Sequence, residues 1–225
     1  MQLIALDPDD LTFPNPHRAL DSPNGLLAIG GDLSPQRLLA GYQRGIFAWF
    51  TETDPILWWS PDPRCIITPE QLHISRSLAR WRRQQRYQIT VDQAFSQVVA
   101  GCAAPRPDQS GTWILPEMRQ AFEQLHQQKV ARSVEVWLGD ELVGGLFGIQ
   151  IGQAVFGESM FSTKPNASKF ALAALLRDQV WGELAFLDTQ FATEHLLSMG
   201  AEEISRADFL RRLEQATTQP AHPAR

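Results

Sequence analysis

The sequence predicts an α+β protein, and three observations carry that prediction. Runs rich in β-branched and aromatic residues follow one another near 132–138, 141–150 and 153–160, and Gly139-Asp140 sits between the first two as a hairpin signal. Helical patterns surround these consecutive strands, which argues for antiparallel neighbours packed against helices. The first 62 residues are turn-rich and read as a compact module of their own.

In that module, Phe13-Pro14-Asn15-Pro16, Ser22-Pro23-Asn24-Gly25 and Gly30-Gly31-Asp32 are turn signals. Ser34-Pro35 begins a helix, because Ser34 can cap it and Pro35 suits the first helical position. The helix is expected to run to about Arg44 and stop near Gly45. The aromatic run Ile46-Phe47-Ala48-Trp49-Phe50 follows, then Leu57-Trp58-Trp59-Ser60-Pro61-Asp62-Pro63-Arg64, whose prolines exclude a long regular element. Beyond it, residues 63–225 predict helices near 71–83, 92–102, 116–128, 166–180, 191–199 and 206–216. Strands are expected near 87–91, 132–138, 141–150, 153–160 and 184–190. The Pro- and Gln-containing tail 216–225 is expected to be disordered.

Composition excludes several classes. With 44% hydrophobic and 20% charged residues the chain reads as globular. No segment reaches the roughly 18 apolar residues of a membrane span. Met1 to Leu20 carries Asp7, Asp9 and Asp10 in place of a basic and apolar leader, so a cytoplasmic protein is expected. The two cysteines and five histidines show no metal-ligand spacing. A net charge of −5 argues against indiscriminate nucleic-acid binding. It leaves room for a local patch, since no acidic residue occurs between Gln71 and Thr90 while Arg76, Arg80, Arg82, Arg83 and Arg86 do.

Four constellations can carry chemistry. On a helix, Arg76, Arg80 and Arg83 share one face and can follow a phosphate backbone; a solvated helix face is the plainer alternative. Glu158, in Gly157-Glu158-Ser159-Met160-Phe161-Ser162, ends an apolar strand where an acid can bind an amine or a cationic side chain. Asp188 and Gln190 fall on one face of a strand and can orient and deprotonate an amine; they can equally be a strand end with a helix cap. Tyr42, Trp49 and Trp113 lie beside turns or glycines and can stack on a nucleobase, or can be core residues. No GxGxxG, P-loop, GxSxG or acetyl-CoA pyrophosphate signature is present.

From about Phe13 to about Arg211 the sequence resembles the bacterial leucyl/phenylalanyl-tRNA–protein transferases. The strings that carry the resemblance are long: Asn24-Gly25-Leu26-Leu27-Ala28-Ile29-Gly30-Gly31-Asp32-Leu33-Ser34, Tyr42-Gln43-Arg44-Gly45-Ile46-Phe47, Trp58-Trp59-Ser60-Pro61-Asp62-Pro63-Arg64, Leu72-His73-Ile74-Ser75-Arg76-Ser77, and the Gly157–Ser162 segment. The resemblance implies a small N-terminal α+β domain (1–62) followed by a GNAT-like acyltransferase domain (63–215). It implies transfer of leucine or phenylalanine, less readily methionine, from leucyl-tRNA or phenylalanyl-tRNA to proteins with N-terminal arginine or lysine. The product would carry an N-degron of the N-end rule pathway. It further implies a monomer with no cofactor, no metal and no membrane association.

Site residues follow by the same resemblance. Glu158, Asp188 and Gln190 match the reaction centre. Tyr42, Trp49 and Trp113 match aromatics around the terminal adenosine. Leu146, Met160, Leu172, Leu175 and Leu187 match the pocket for the transferred side chain, and Arg76, Arg80, Arg82 and Arg83 match the patch that holds the acceptor stem. The sequence departs from the family at Phe122 (a family tyrosine), Ala48 (a family proline), Leu146 and Leu175. Two other readings compete: an N-acyltransferase using a CoA thioester, against which the missing pyrophosphate signature counts, and a non-catalytic RNA-binding module, which leaves Glu158, Asp188 and Gln190 without a role.

Overall fold

The computed structural model describes residues 3–105 and 112–218. Its first element group is a four-stranded sheet of β1 (Ile4–Leu6), β2 (Leu26–Gly30), β3 (Phe47–Ala48) and β4 (Leu57–Trp59), in the order β1-β2-β4-β3, with helix α1 (Pro35–Tyr42) between β2 and β3. Only β1 and β2 run parallel. Helix α1 begins as its sequence dictates: the Ser34 side chain accepts from the Arg37 amide, with Pro35 in the first turn. Gly45, at φ +71°, makes the turn after it. These strands have two to five residues each, too short to show a period, and the sequence pattern locates none of them, although an α+β module is expected here.

Arg37 is wholly buried in α1. It donates to the carbonyls of Asp7, Pro8 and Asp10, each at 2.9 Å, and pairs with Asp32 at 3.2 Å. One arginine thus fastens residues 7–10 to the helix, which satisfies the rule that a buried charge needs partners.

The second group follows: β5 (Arg64–Ile67), α2 (Arg76–Arg83), β6 (Gln88–Val91), α3 (Phe95–Ala103), α4 (Pro116–Gln127), β7 (Ala131–Leu138), β8 (Glu141–Ile151), β9 (Ala154–Ser162), α5 (Ala167–Leu176), β10 (Phe186–Gln190), α6 (Glu194–Ser198), β11 (Glu202–Ile204) and α7 (Arg206–Thr218). Their seven strands form one sheet in the order β11-β5-β10-β9-β8-β7-β6. Every neighbouring pair is antiparallel except β9 and β10. The α+β class expected from the consecutive central strands is the class observed, and Gly139-Asp140 is the turn of the β7–β8 hairpin.

Alternation along the strands divides the core in two. Phe147, Phe156 and Phe186 face one cluster together with α3, α4, α7 and the small first sheet. Leu146, Val155 and Leu187 face the other, beneath α5 and Leu78 of α2. Buried Glu135 on β7 accepts from Thr90, Ser133 and the Ala94 amide, and so caps α3, whose N-cap residue offers no side-chain oxygen.

Several boundaries differ from expectation. Helix α2 starts at Arg76, not near 71, because Ser75 caps it and the preceding chain is held by the His73 amide on the Met199 carbonyl. The helix expected over 166–180 ends at Leu176, and the one expected over 191–199 is Glu194–Ser198, capped by Thr193. The disordered tail expected from Ala216 is corrected in its first three residues. Ala216 is buried, its carbonyl accepts from the Gln153 amide, and α7 continues through Thr218. Residues 219–225 lie outside those described.

Candidate active site

The parallel pairing of β9 and β10 ends at Phe156 opposite Asp188, and just beyond that point both strands are irregular. On β9, Gly148 of β8 faces Gly157 and Phe147 faces Ser159, which leaves Glu158 as the extra residue of a bulge. Glycine is required opposite: a Cβ on Gly148 would come within 2.3 Å of the Phe156 carbonyl oxygen. On β10, Ile66 pairs with Asp188 and Cys65 with Gln190, so Thr189 is skipped, and Gln190 takes φ +59°. That left-handed conformation is uncommon for a residue with a side chain.

A cavity of about 870 Å³ lies where the two strands part. Leu146, Met160, Leu172 and Leu187 form apolar wall, while Glu158, Gln190, Thr193 and His195 supply polar lining. The arrangement can hold an apolar side chain at one part of the cavity and a cationic or amine group at another.

Glu158 accepts a hydrogen bond from the Tyr42 hydroxyl at 2.8 Å. Burial pushes its carboxyl up to about 8; the Tyr42 bond opposes this, the Asp188 charge adds to it and Arg64 counters it. Burial, reinforced by Glu158, drives the Tyr42 hydroxyl well above the ordinary tyrosine value. At neutral pH the centre therefore holds a protonated carboxyl that a cation entering the cavity would ionise.

Asp188 is arranged differently from the expectation of two side chains sharing a strand face. It is wholly buried and accepts from Arg64 Nε at 2.8 Å and Nη2 at 2.6 Å. Its Oδ1 also accepts from the Gln190 backbone amide at 3.0 Å. Asp188 thus accepts two hydrogen bonds on Oδ1 and one on Oδ2, and it ties the turn that carries Gln190 to the Arg64 guanidinium. Gln190, by contrast, lines the cavity directly.

The remaining predicted residues divide. Leu175 does not line the cavity; it is fully buried in the core under α5, which corrects its expected place in the pocket. Tyr42, expected as an accessible aromatic, is 1% exposed because its ring packs on Phe156 at 5.0 Å between centroids. Trp49 is 42% exposed, edge-on to Trp59 and 6.3 Å from Phe191, itself 41% exposed. Trp113 is half-buried against Phe122. Arg76, Arg80 and Arg83 are exposed along α2, whereas Arg82 turns away to pair with Asp178, a correction to its place in the basic face.

Three residues at the site were not singled out from the sequence. His195 reads as one polar residue in a short helix; in the structure it lines the cavity, and burial, with Lys169 nearby, holds its pKa below the ordinary histidine value. Phe191 carried no signal apart from following Gln190. Arg64 ends the Trp58–Arg64 segment, and nothing in the sequence marks it as interior, since arginine is rarely buried.

The chain matches a family model described as leucyl/phenylalanyl-tRNA protein transferase over residues 66–214, and the model of that family's N-terminal domain over residues 31–62. It is 52% identical to the leucyl/phenylalanyl-tRNA–protein transferase of Ectopseudomonas mendocina (strain ymp), over 97% of each chain. The protein of the same description from Nitrosomonas eutropha is 54% identical, over 94% of this chain and 90% of that one. Among solved structures, a GCN5-related N-acetyltransferase from Kribbella flavida superposes with a TM-score of 0.36 at 9% identity, covering 74% of this chain and 60% of that one, a likeness too loose to assign a fold.

Proposed function

Because the chain belongs to the leucyl/phenylalanyl-tRNA–protein transferase family, we propose that the cavity between β9 and β10 is where an aminoacyl group passes from tRNA to a protein. The observation that carries this reading is the composition of that one cavity, with aliphatic wall at Leu146, Met160, Leu172 and Leu187 and polar groups at Glu158 and Gln190.

The donor is an ester between the amino acid and the terminal ribose, and the acceptor is an N-terminal amine. Attack of the neutral amine on the ester carbonyl forms the C–N bond and breaks the C–O bond, and the amine proton ends on the departing ribose hydroxyl. An α-amino group titrates near 7.7–8.0, so about 20–30% of it is already neutral near pH 7.4 and little help with deprotonation is needed. What the site must supply is placement, which can contribute about 7–11 kcal/mol at best. The apolar wall selects leucine or phenylalanine by shape, at roughly 1–3 kcal/mol per methylene. Gln190 contacts the incoming amine, and Glu158 ionises against the cationic arginine or lysine side chain of the acceptor. Trp49 and Trp113 serve the terminal adenosine, while Arg76, Arg80 and Arg83 meet the acceptor-stem phosphates. On the same reading residues 1–62 form a small N-terminal domain packed through a shared core on residues 63–215, which are GNAT-like. The protein acts as a cytoplasmic monomer without cofactor, and its product bears an N-degron.

The test is transfer of labelled leucine from leucyl-tRNA to a peptide with N-terminal arginine, beside the same peptide with N-terminal alanine. Labelling of the arginine peptide alone is the expected result. Equal labelling of both overturns the role given to Glu158, and labelling of neither overturns the cavity as a transfer site.

A further inference from the structure

We propose that Arg64 is a positioning residue for aminoacyl transfer: it clamps the Asp188 carboxylate and so holds the turn that presents Gln190 to the cavity. The inference rests on the reading of that cavity as the transfer site.

Arg64 is wholly buried on β5. Its Nε and Nη2 grip both oxygens of Asp188, and its Nη1 donates to the Gly45 carbonyl at 3.1 Å. The guanidinium lies 4.8 Å from the centre of the Phe47 ring and 4.4 Å from that of Phe209, so aromatic rings restrict its plane. A clasp of this kind is more than the fold requires, since a buried ion pair contributes little net stability over apolar packing of the same volume. What it does secure is direction. The remaining bond on Asp188 Oδ1 goes to the Gln190 amide, and Gln190 is the residue in the left-handed conformation at the break in the β5–β10 ladder. Such a conformation persists only where its surroundings over-determine it.

The clasp also reaches across the molecule. Gly45 belongs to the turn after α1, and Tyr42, three residues earlier, donates to Glu158. The turn between α1 and β3 therefore fixes both acids of the centre, one through Tyr42 and one through Arg64. Lysine cannot replace Arg64 here, because a single ammonium does not present the planar fork that spans two carboxylate oxygens.

The experiment measures kcat and KM for leucyl-tRNA and an N-terminal arginine peptide in wild type, Arg64→Lys, Asp188→Asn and Arg64→Lys/Asp188→Asn. We expect a folded Arg64→Lys protein with kcat lower by about 10–100-fold and KM for leucyl-tRNA changed by less than about threefold. In the Asp188→Asn background the lysine substitution is expected to cost no further kcat, since Arg64 acts through Asp188. An arginine with only a structural role would lower kcat by the same factor in both backgrounds, and that result overturns the proposal, as does an Arg64→Lys enzyme within about twofold of wild type. Should Arg64→Lys not fold, Arg64→Met/Asp188→Asn, which removes both charges, is compared with Asp188→Asn by the same criterion. Wild-type protein without transfer activity would instead overturn the reading of the cavity.

Discussion

Glu158 is the residue in which fold and chemistry oppose each other. Its carboxyl titrates at about 8 in the folded chain, against about 4.3 when unfolded. Between those values the folded state binds more protons than the unfolded one, so stability falls as pH rises from about 4.3 towards 8. Glu158→Gln removes the ionisation but retains an oxygen for the Tyr42 hydroxyl. It should therefore be more stable than wild type by about 1–3 kcal/mol at pH 8 and similar to it at pH 4.5, as read by thermal melts at the two pH values. Sequence reasoning found Glu158 because glycine precedes it at the end of an apolar strand. It could not find the bulge, because an extra residue changes which way a side chain faces without altering composition. The same limit applies at Asp188, whose partner Arg64 lies 124 positions away in the chain.

The elements with a long period were the legible ones. Helix α4 and strands β7 to β9 lie within a residue or two of the expected ranges, since eight to twelve residues suffice to reveal alternation or a helical stripe. Strand β11 and the strands of the first sheet have two to five residues and depend on their neighbours for existence. Helix α2 was legible in its charge, and there the structure refines the reading by separating Arg82 from the exposed row. Arg80→Ala should weaken leucyl-tRNA binding and lower the slope of log affinity against log salt by about 1. Arg82→Ala should leave that slope nearly unchanged, because its guanidinium pairs with Asp178. Binding titrations at several salt concentrations distinguish the two.

Across the whole molecule, the small first sheet and the large second sheet share one core. Phe156 packs on Tyr42, Phe209 lies beside Gly45 and Arg64, and Arg206 at the start of α7 donates to the Ser60 carbonyl and the Asp62 carboxylate. Uncovering Phe156 and Phe209 alone would cost about 3–6 kcal/mol, comparable with the whole stability of many domains. A chain beginning at residue 63 should thus lack a cooperative thermal transition, which circular dichroism would show.

The β7–β8 hairpin has a practical consequence. A Cβ on Gly139 would have no atom within 4 Å, Asp140 beside it is exposed, and Cys65 and Cys102 are both buried. Asp140→Cys would therefore give a protein that takes a thiol-reactive dye at one place under native conditions, so that binding could be followed by fluorescence in real time.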